Sequence, residues 1–183
     1  DQSLEQFATK SKNIIICKSM SKVYALSGLR CAYLCAHPYQ LEKLKSITPP
    51  WAVSLPAQIA AVTALKDEEY YEKCYKQTHT LRDEFTKELL KFKSIEVVPS
   101  VANFVLCHLR ENGPNAEIVV SKCKEKGLYL RDVSNMGTNF EKHTIRIAIK
   151  DRITNQKMLK ILKQIFPTGV SPRSSRSMRS GMT

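Results

Sequence analysis

A chain of 183 residues with 43% apolar residues can bury the core of one domain or of a small pair. Its 29 Lys and Arg against 17 Asp and Glu leave a formal charge of +12, yet the cations are spread along helical patterns such as Lys87, Lys91 and Lys93, with no nucleic-acid-binding motif. No apolar run reaches the length of a membrane span and the polar start lacks the form of a secretory signal, so neither a specific nucleic acid nor a membrane is an expected partner.

The first predicted element is a buried strand over residues 13–17, Asn13-Ile14-Ile15-Ile16-Cys17. A loop carrying Ser19-Met20-Ser21-Lys22 and Leu26-Ser27-Gly28-Leu29-Arg30 follows, then a second strand over 30–35. Pro38 opens a short helix with Leu41 and Leu44 on one face. The run Thr48-Pro49-Pro50-Trp51 ends it, because proline removes a backbone donor and restricts the residue before it. From Pro56 to about Lys91 the chain is rich in Ala, Leu, Glu and Lys and reads as a long helix. Its first apolar stripe is Ile59, Val62 and Leu65, and a bend is expected near Asp67.

The rest reads as α+β. Strands are expected over 95–98, 103–109, 128–133 and 144–149, with helices over 115–126 and 154–166 and Gly127 as a helix stop. After Pro167 the pattern ends, and the Ser-rich stretch with Arg173, Arg176 and Arg179 has too few apolar residues to order itself. The six cysteines, at 17, 31, 35, 74, 107 and 123, form no C-x-x-C pair; most lie in apolar contexts and are expected to be buried thiols in a reducing, cytoplasmic compartment. No histidine clusters with other ligand types, so no metal site is expected.

The segment around Lys22 carries the chemistry. A lysine condenses with an aldehyde only through its neutral amine, and desolvation or a neighbouring cation favours that form. Arg30 is such a neighbour and offers a planar fork to a phosphate, while Ser19 and Ser21 are short hydroxyl donors for the remaining oxygens. Gly28 is expected to allow the backbone turn that returns Arg30 toward Lys22. Arg146 interrupts the apolar run Ile145-Arg146-Ile147-Ala148-Ile149. Alternation places it with Thr144 and Ala148, opposite the three isoleucines.

The string Ser19-Met20-Ser21-Lys22-Val23-Tyr24-Ala25-Leu26-Ser27-Gly28-Leu29-Arg30-Cys31-Ala32-Tyr33 resembles fold-type I PLP-dependent (pyridoxal 5′-phosphate) aminotransferases. More narrowly, it is similar to the class I/II group that includes histidinol-phosphate aminotransferases and threonine-phosphate decarboxylases. The resemblance continues through Ala102-Asn103-Phe104-Val105-Leu106, Leu130-Arg131-Asp132-Val133-Ser134-Asn135 and Thr144-Ile145-Arg146-Ile147-Ala148, in the family's order from residue 13 to about 166. In such enzymes a phosphate loop, a ring-stacking aromatic, an Asn and an Asp-x-Ala-Tyr block precede the lysine. Asp1 is not followed by Ala-Tyr, so a C-terminal portion of the enzyme is expected.

The resemblance implies an α/β fold, the C-terminal part of the aspartate aminotransferase-like PLP-dependent transferase fold. Residues 1–66 would complete the large cofactor domain, 67–167 would form a small α+β domain entered through a long helix, and 168–183 a disordered tail. It also implies that Lys22 holds PLP as a Schiff base and that Ser19, Ser21 and Arg30 bind its phosphate. Arg146 would bind the substrate α-carboxylate. Arg131, fifteen residues before it, faces the substrate in some relatives and competes with a reading in which it pairs with Asp132 or a helix carboxylate. Asn103 reads as satisfying backbone groups at a strand start, and Tyr24 and Tyr33 as core packing. The implied partners are an amino acid, a 2-oxo acid and a second copy of the chain. A decarboxylase of the threonine-phosphate type and a catalytically incomplete, dimerising module are the alternatives.

Overall fold

The computed structural model describes residues 3–110, 113–137, 140 and 143–166, so the tail expected over 168–183 lies outside the described residues. The chain divides into two compact units, with the boundary between Cys74 and Tyr75.

The first unit runs α1 (Glu5–Lys10), β1 (Ile15–Ser19), a 3-10 turn (Ser27–Leu29), β2 (Ala32–Ala36), α2 (Pro38–Ile47), α3 (Leu55–Lys66) and the start of α4 (Glu68–Leu89). β1 and β2 pair antiparallel, with Cys17 opposite Leu34 and Ser19 opposite Ala32. The β-branched run Ile14-Ile15-Ile16 suits a pleated strand. This strand was expected to be buried; in this chain Ile15, Cys17 and Ser19 are exposed along one face and Ile16 and Lys18 are half-buried on the other. The second strand starts at Ala32 rather than at Arg30, whose φ of 52° no strand accommodates.

His37 caps α2 by accepting from the Tyr39 amide at 3.2 Å, and Ser54 caps α3 by accepting from Ala57 at 3.4 Å. The single helix expected from Pro56 to Lys91 is broken at Asp67. The Asp67 amide donates to Ala64 O at 3.3 Å, ending α3, and its Oδ1 accepts from the Tyr70 amide at 3.3 Å, opening α4. The predicted stripe faces outward: Ile59, Val62 and Leu65 are 59%, 50% and 39% exposed. The helix instead lays its alanines, Ala57, Ala61 and Ala64, on Met20, Cys31 and Tyr24.

The second unit is a four-stranded antiparallel sheet in the order β3-β4-β6-β5, made of Ile95–Val98, Phe104–Leu109, Thr144–Ala148 and Arg131–Asp132. With α5 (Ala116–Glu125), α6 (Arg152–Ile165) and the later part of α4 it encloses a core of Phe85, Leu89, Val105, Ile145, Ile147 and Leu162. Asn115 and Asp151 cap α5 and α6 by accepting from the Ile118 and Thr154 amides, each at 2.9 Å. Gly127, at φ 76°, ends α5 while the Leu128 amide donates back to Cys123 O at 2.9 Å. That turn takes up the start of the strand expected over 128–133, which shrinks to Arg131 and Asp132.

Three of the six thiols, Cys31, Cys107 and Cys123, are buried, whereas Cys17 is exposed and Cys35 and Cys74 lie between. Burial pushes the Cys107 thiol up to about 12 and Cys123 to about 11, so both are inert at neutral pH. Among the described residues no helix is long and apolar enough to cross a membrane. Phe85 is buried in the second core, and Phe85→Ala is expected to cost about 3–5 kcal/mol, read as an earlier guanidinium-unfolding midpoint.

Candidate active site

The Lys22 loop hangs on one buried side chain. Met20 is 1% exposed; its amide donates to Cys31 O at 3.2 Å and its carbonyl accepts from Leu26 at 3.1 Å. Chain alternation then turns Ser19 and Ser21 away from the core, where their hydroxyls lie 2.8 Å apart and share one hydrogen bond. The Ser21 amide also donates to Ser19 Oγ at 3.3 Å. Lys22 is exposed, and its carbonyl closes a tight turn by accepting from the Ala25 amide at 3.2 Å.

Left-handed backbone was expected at Gly28. It occurs instead at Ala25 (φ 55°) and Arg30 (φ 52°), while a Cβ at Gly28 would meet nothing within 4 Å. The glycine sits in the 3-10 turn, whose backbone any residue can adopt, and the reversal falls on its flanks. A non-glycine residue in that region costs of order 1–3 kcal/mol and persists where the surroundings over-determine it. The Arg30 guanidinium donates from Nη1 to Ser27 O at 3.3 Å, and among the described residues no other partner takes its remaining donors.

Behind the strands, Glu5 gathers three donors. Tyr33 Oη donates to it at 2.7 Å, Ser3 Oγ at 2.7 Å, and Lys18 Nζ stands 2.9 Å away. Tyr33 and Lys18 are cross-strand neighbours, so one carboxylate ties α1 to both strands. Those bonds, Tyr33's first and then those of Ser3 and Lys18, hold Glu5 down at about 2, well below its ordinary 4.5. A depressed carboxyl contributes stability above about pH 4.5 and loses it as pH falls toward 2. Glu5→Gln is therefore expected to lower stability at pH 7 by about 1–2 kcal/mol and to flatten the acid side of the unfolding-versus-pH curve. Nothing local in the sequence marks Glu5, because Tyr33 lies 28 positions away.

In the second unit Arg146 sits on β6, opposite Leu106 of β4 on one side and Arg131 of β5 on the other. Ile145 and Ile147 fill the core, while Arg146 shares the outer face with Phe104, His108, Thr144 and Ala148. The two arginines are direct cross-strand partners, a placement that repels unless an anion lies between them. Arg131 does not take Asp132 as its partner: the Asp132 carboxylate accepts from the Ser134 amide at 2.8 Å, and neighbouring residues on a strand point to opposite faces. The Arg146 guanidinium lies 4.0 Å from the centroid of the Phe104 ring. Thr144 Oγ1 donates to Phe140 O at 2.6 Å, so the 2.8 Å contact to His108 Nδ1 must be donated by the imidazole. Asn103 contributes its carbonyl, which accepts from Ile149 at 2.9 Å. Sequence reasoning gave Phe104 no role, although it stands in one of the blocks that carry the resemblance.

Ser19, Ser21, Lys22 and Arg30 thus lie on one surface loop that carries hydroxyls, an amine and a guanidinium, donors of the kinds that can hold a phosphate. Arg131 and Arg146 form a separate pair of forks suited to an anionic group.

The profile of the family described as aminotransferase class I and II matches residues 2–165. The histidinol-phosphate aminotransferase of Methanococcus maripaludis (strain C6 / ATCC BAA-1332) is 30% identical over 165 residues, which are 90% of this chain and 44% of that protein. The crystal structure of the histidinol-phosphate aminotransferase from Clostridium acetobutylicum superposes with a TM-score of 0.80 at 28% identity, over 89% of this chain and 48% of that one. A decarboxylase from Sulfurospirillum multivorans superposes with a TM-score of 0.78 at 27% identity, over 90% of this chain and 47% of that one. The chain spans less than half the length of these relatives.

Proposed function

Because this chain belongs to the class I and II aminotransferase family and carries part of that family's fold, we propose that it serves a transaminase that moves an amino group between an amino acid and a 2-oxo acid, with Lys22 as the cofactor lysine. Enzymes of this family use pyridoxal 5′-phosphate. The observation that supports the reading is the pair of Ser19 and Ser21 hydroxyls, 2.8 Å apart on the loop that also carries the exposed Lys22 and Arg30.

In this reading Ser19 and Ser21 donate to the cofactor phosphate and Arg30 neutralises its charge. Lys22 would hold the cofactor through its neutral amine. With substrate bound, Lys22 would be the base that takes the proton from the substrate Cα and holds it for return. The bound cofactor supplies the electron sink for the pair left on Cα. Arg146 orients the substrate by its anionic group, and Arg131 opposite adds a second fork. Two opposed forks match a doubly charged group better than a single carboxylate, which agrees with the phosphate-ester substrate named by the relatives. The working enzyme is a homodimer in this reading, as the family resemblance implies.

The similarity to the Sulfurospirillum enzyme keeps decarboxylation as the second reading. The two reactions differ in which bond at Cα is aligned for cleavage. L-amino acids and histidinol phosphate, each with 2-oxoglutarate, and O-phospho-L-threonine alone, are to be offered to the full-length protein. Glutamate formed without carbon dioxide supports transamination. Carbon dioxide and an amine from phosphothreonine support the second reading, and neither product from any of these substrates overturns both.

A further inference from the structure

We propose that Phe104 is a positioning residue: its ring face holds the Arg146 guanidinium flat and open, so that an incoming anion meets a prearranged fork. The inference rests on the reading of Arg146 as the anion-binding arginine.

The register makes the contact a consequence of the sheet. Leu106 stands directly opposite Arg146, and Phe104, two residues earlier on the same face, is paired with Ala148. A long side chain on a strand reaches its diagonal neighbour, and Arg146 does so, its Cζ 4.0 Å from the ring centroid. The methyl group of Ala148 leaves the ring room to lie beside the strand, where a bulky residue would fill that place.

The alternatives open to Arg146 are poor. Across β5 it meets Arg131, a like charge that repels it. Toward the other end of β6, Thr144 has spent its proton on Phe140 O and receives one from His108, so its remaining capacity as an acceptor is small. Among the described residues no carboxylate forms an ion pair with Arg146.

A cation–π contact differs in kind from an ion pair here. A carboxylate partner would occupy the in-plane N–H groups that substrate needs. A ring below the guanidinium plane attracts the charge through its quadrupole and leaves the edge donors pointing outward. Phe104 thus orders the arginine without competing for its bonds. Loss of the ring should weaken anion binding and leave the proton-transfer step alone, so KM rises while kcat holds.

The test uses the holoenzyme of the full-length protein, whose phosphate site is filled by cofactor, and titrates inorganic phosphate by calorimetry alongside steady-state kinetics. Phe104→Leu is expected to weaken phosphate and to raise KM by about 3- to 30-fold, with kcat within about twofold. Phe104→Tyr and Phe104→Trp, which keep a ring face, are expected to stay near wild type. In an Arg146→Gln background Phe104→Leu is expected to add less than about twofold, since the ring then has nothing to order. The proposal is overturned if Phe104→Leu binds phosphate like wild type, if the tyrosine variant is as weak as leucine, or if leucine costs as much without Arg146 as with it. A ring-current shift on the Arg146 side-chain protons, present in wild type and absent in Phe104→Leu, checks the stacking even where a variant folds poorly. Its absence from wild type equally sinks the idea. Calorimetry and ring-current shifts need no turnover, so failure of the transaminase reading would show separately, as a holoenzyme that binds phosphate at Arg146 and converts no substrate.

Discussion

Lys22→Ala in the full-length protein is expected to lower kcat by at least about 10²–10⁴-fold, the contribution of one positioned proton-transfer group, and to remove the cofactor's covalent attachment altogether. The substitution is a clean one. Lys22 is exposed, and the loop is pinned by Met20 and its bonds to Cys31 and Leu26 rather than by the lysine side chain. Stability of the cofactor-free protein should therefore change by no more than about 0.5 kcal/mol. Lys22→Arg keeps the charge but cannot condense with an aldehyde, so it should be as inactive as alanine. If either variant retains activity within tenfold of wild type, the role assigned to Lys22 is wrong.

Arg146→Gln is the second large effect. Removing one member of a desolvated, hydrogen-bonded charge pair costs about 2–5 kcal/mol, which corresponds to a fall in kcat/KM of roughly 30- to 5,000-fold. Arg146→Lys should recover only part of this, because an ammonium is a point charge without the planar fork. Arg131→Gln makes a useful contrast. It removes a like charge directly across from Arg146, so the second unit should hold its stability or gain a few tenths of a kcal/mol while anion affinity falls. A loss of stability in Arg131→Gln would show that the two arginines do not repel in the free protein.

Local patterns carried much of this fold. Alternation around Ile145-Arg146-Ile147 placed the arginine away from the core, Gly127 ended its helix, and Asp67 marked a break that proved complete. What lay beyond the sequence depended on partners far along the chain. The stripe of Ile59, Val62 and Leu65 has helical spacing, but the face of α3 that meets Met20 and Cys31 in this chain is the one that carries Ala57, Ala61 and Ala64. The pairing of Arg131 with Arg146 is a matter of strand register, which no spacing along one strand reveals. The turn of this loop was expected at Gly28, because glycine tolerates it best, whereas the left-handed residues there are Ala25 and Arg30. The hydroxyl, amine and guanidinium types at positions 19 to 30 were legible as a donor set; their mutual geometry was not.

Chemical trapping tests the central claim most directly. The full-length protein is to be incubated with pyridoxal 5′-phosphate, reduced with borohydride, digested and mapped by mass. A phosphopyridoxyl group on the peptide that contains Lys22, absent when that residue is alanine, is the predicted result. A reduced adduct on some other lysine, with the Lys22 peptide unmodified, would contradict the account.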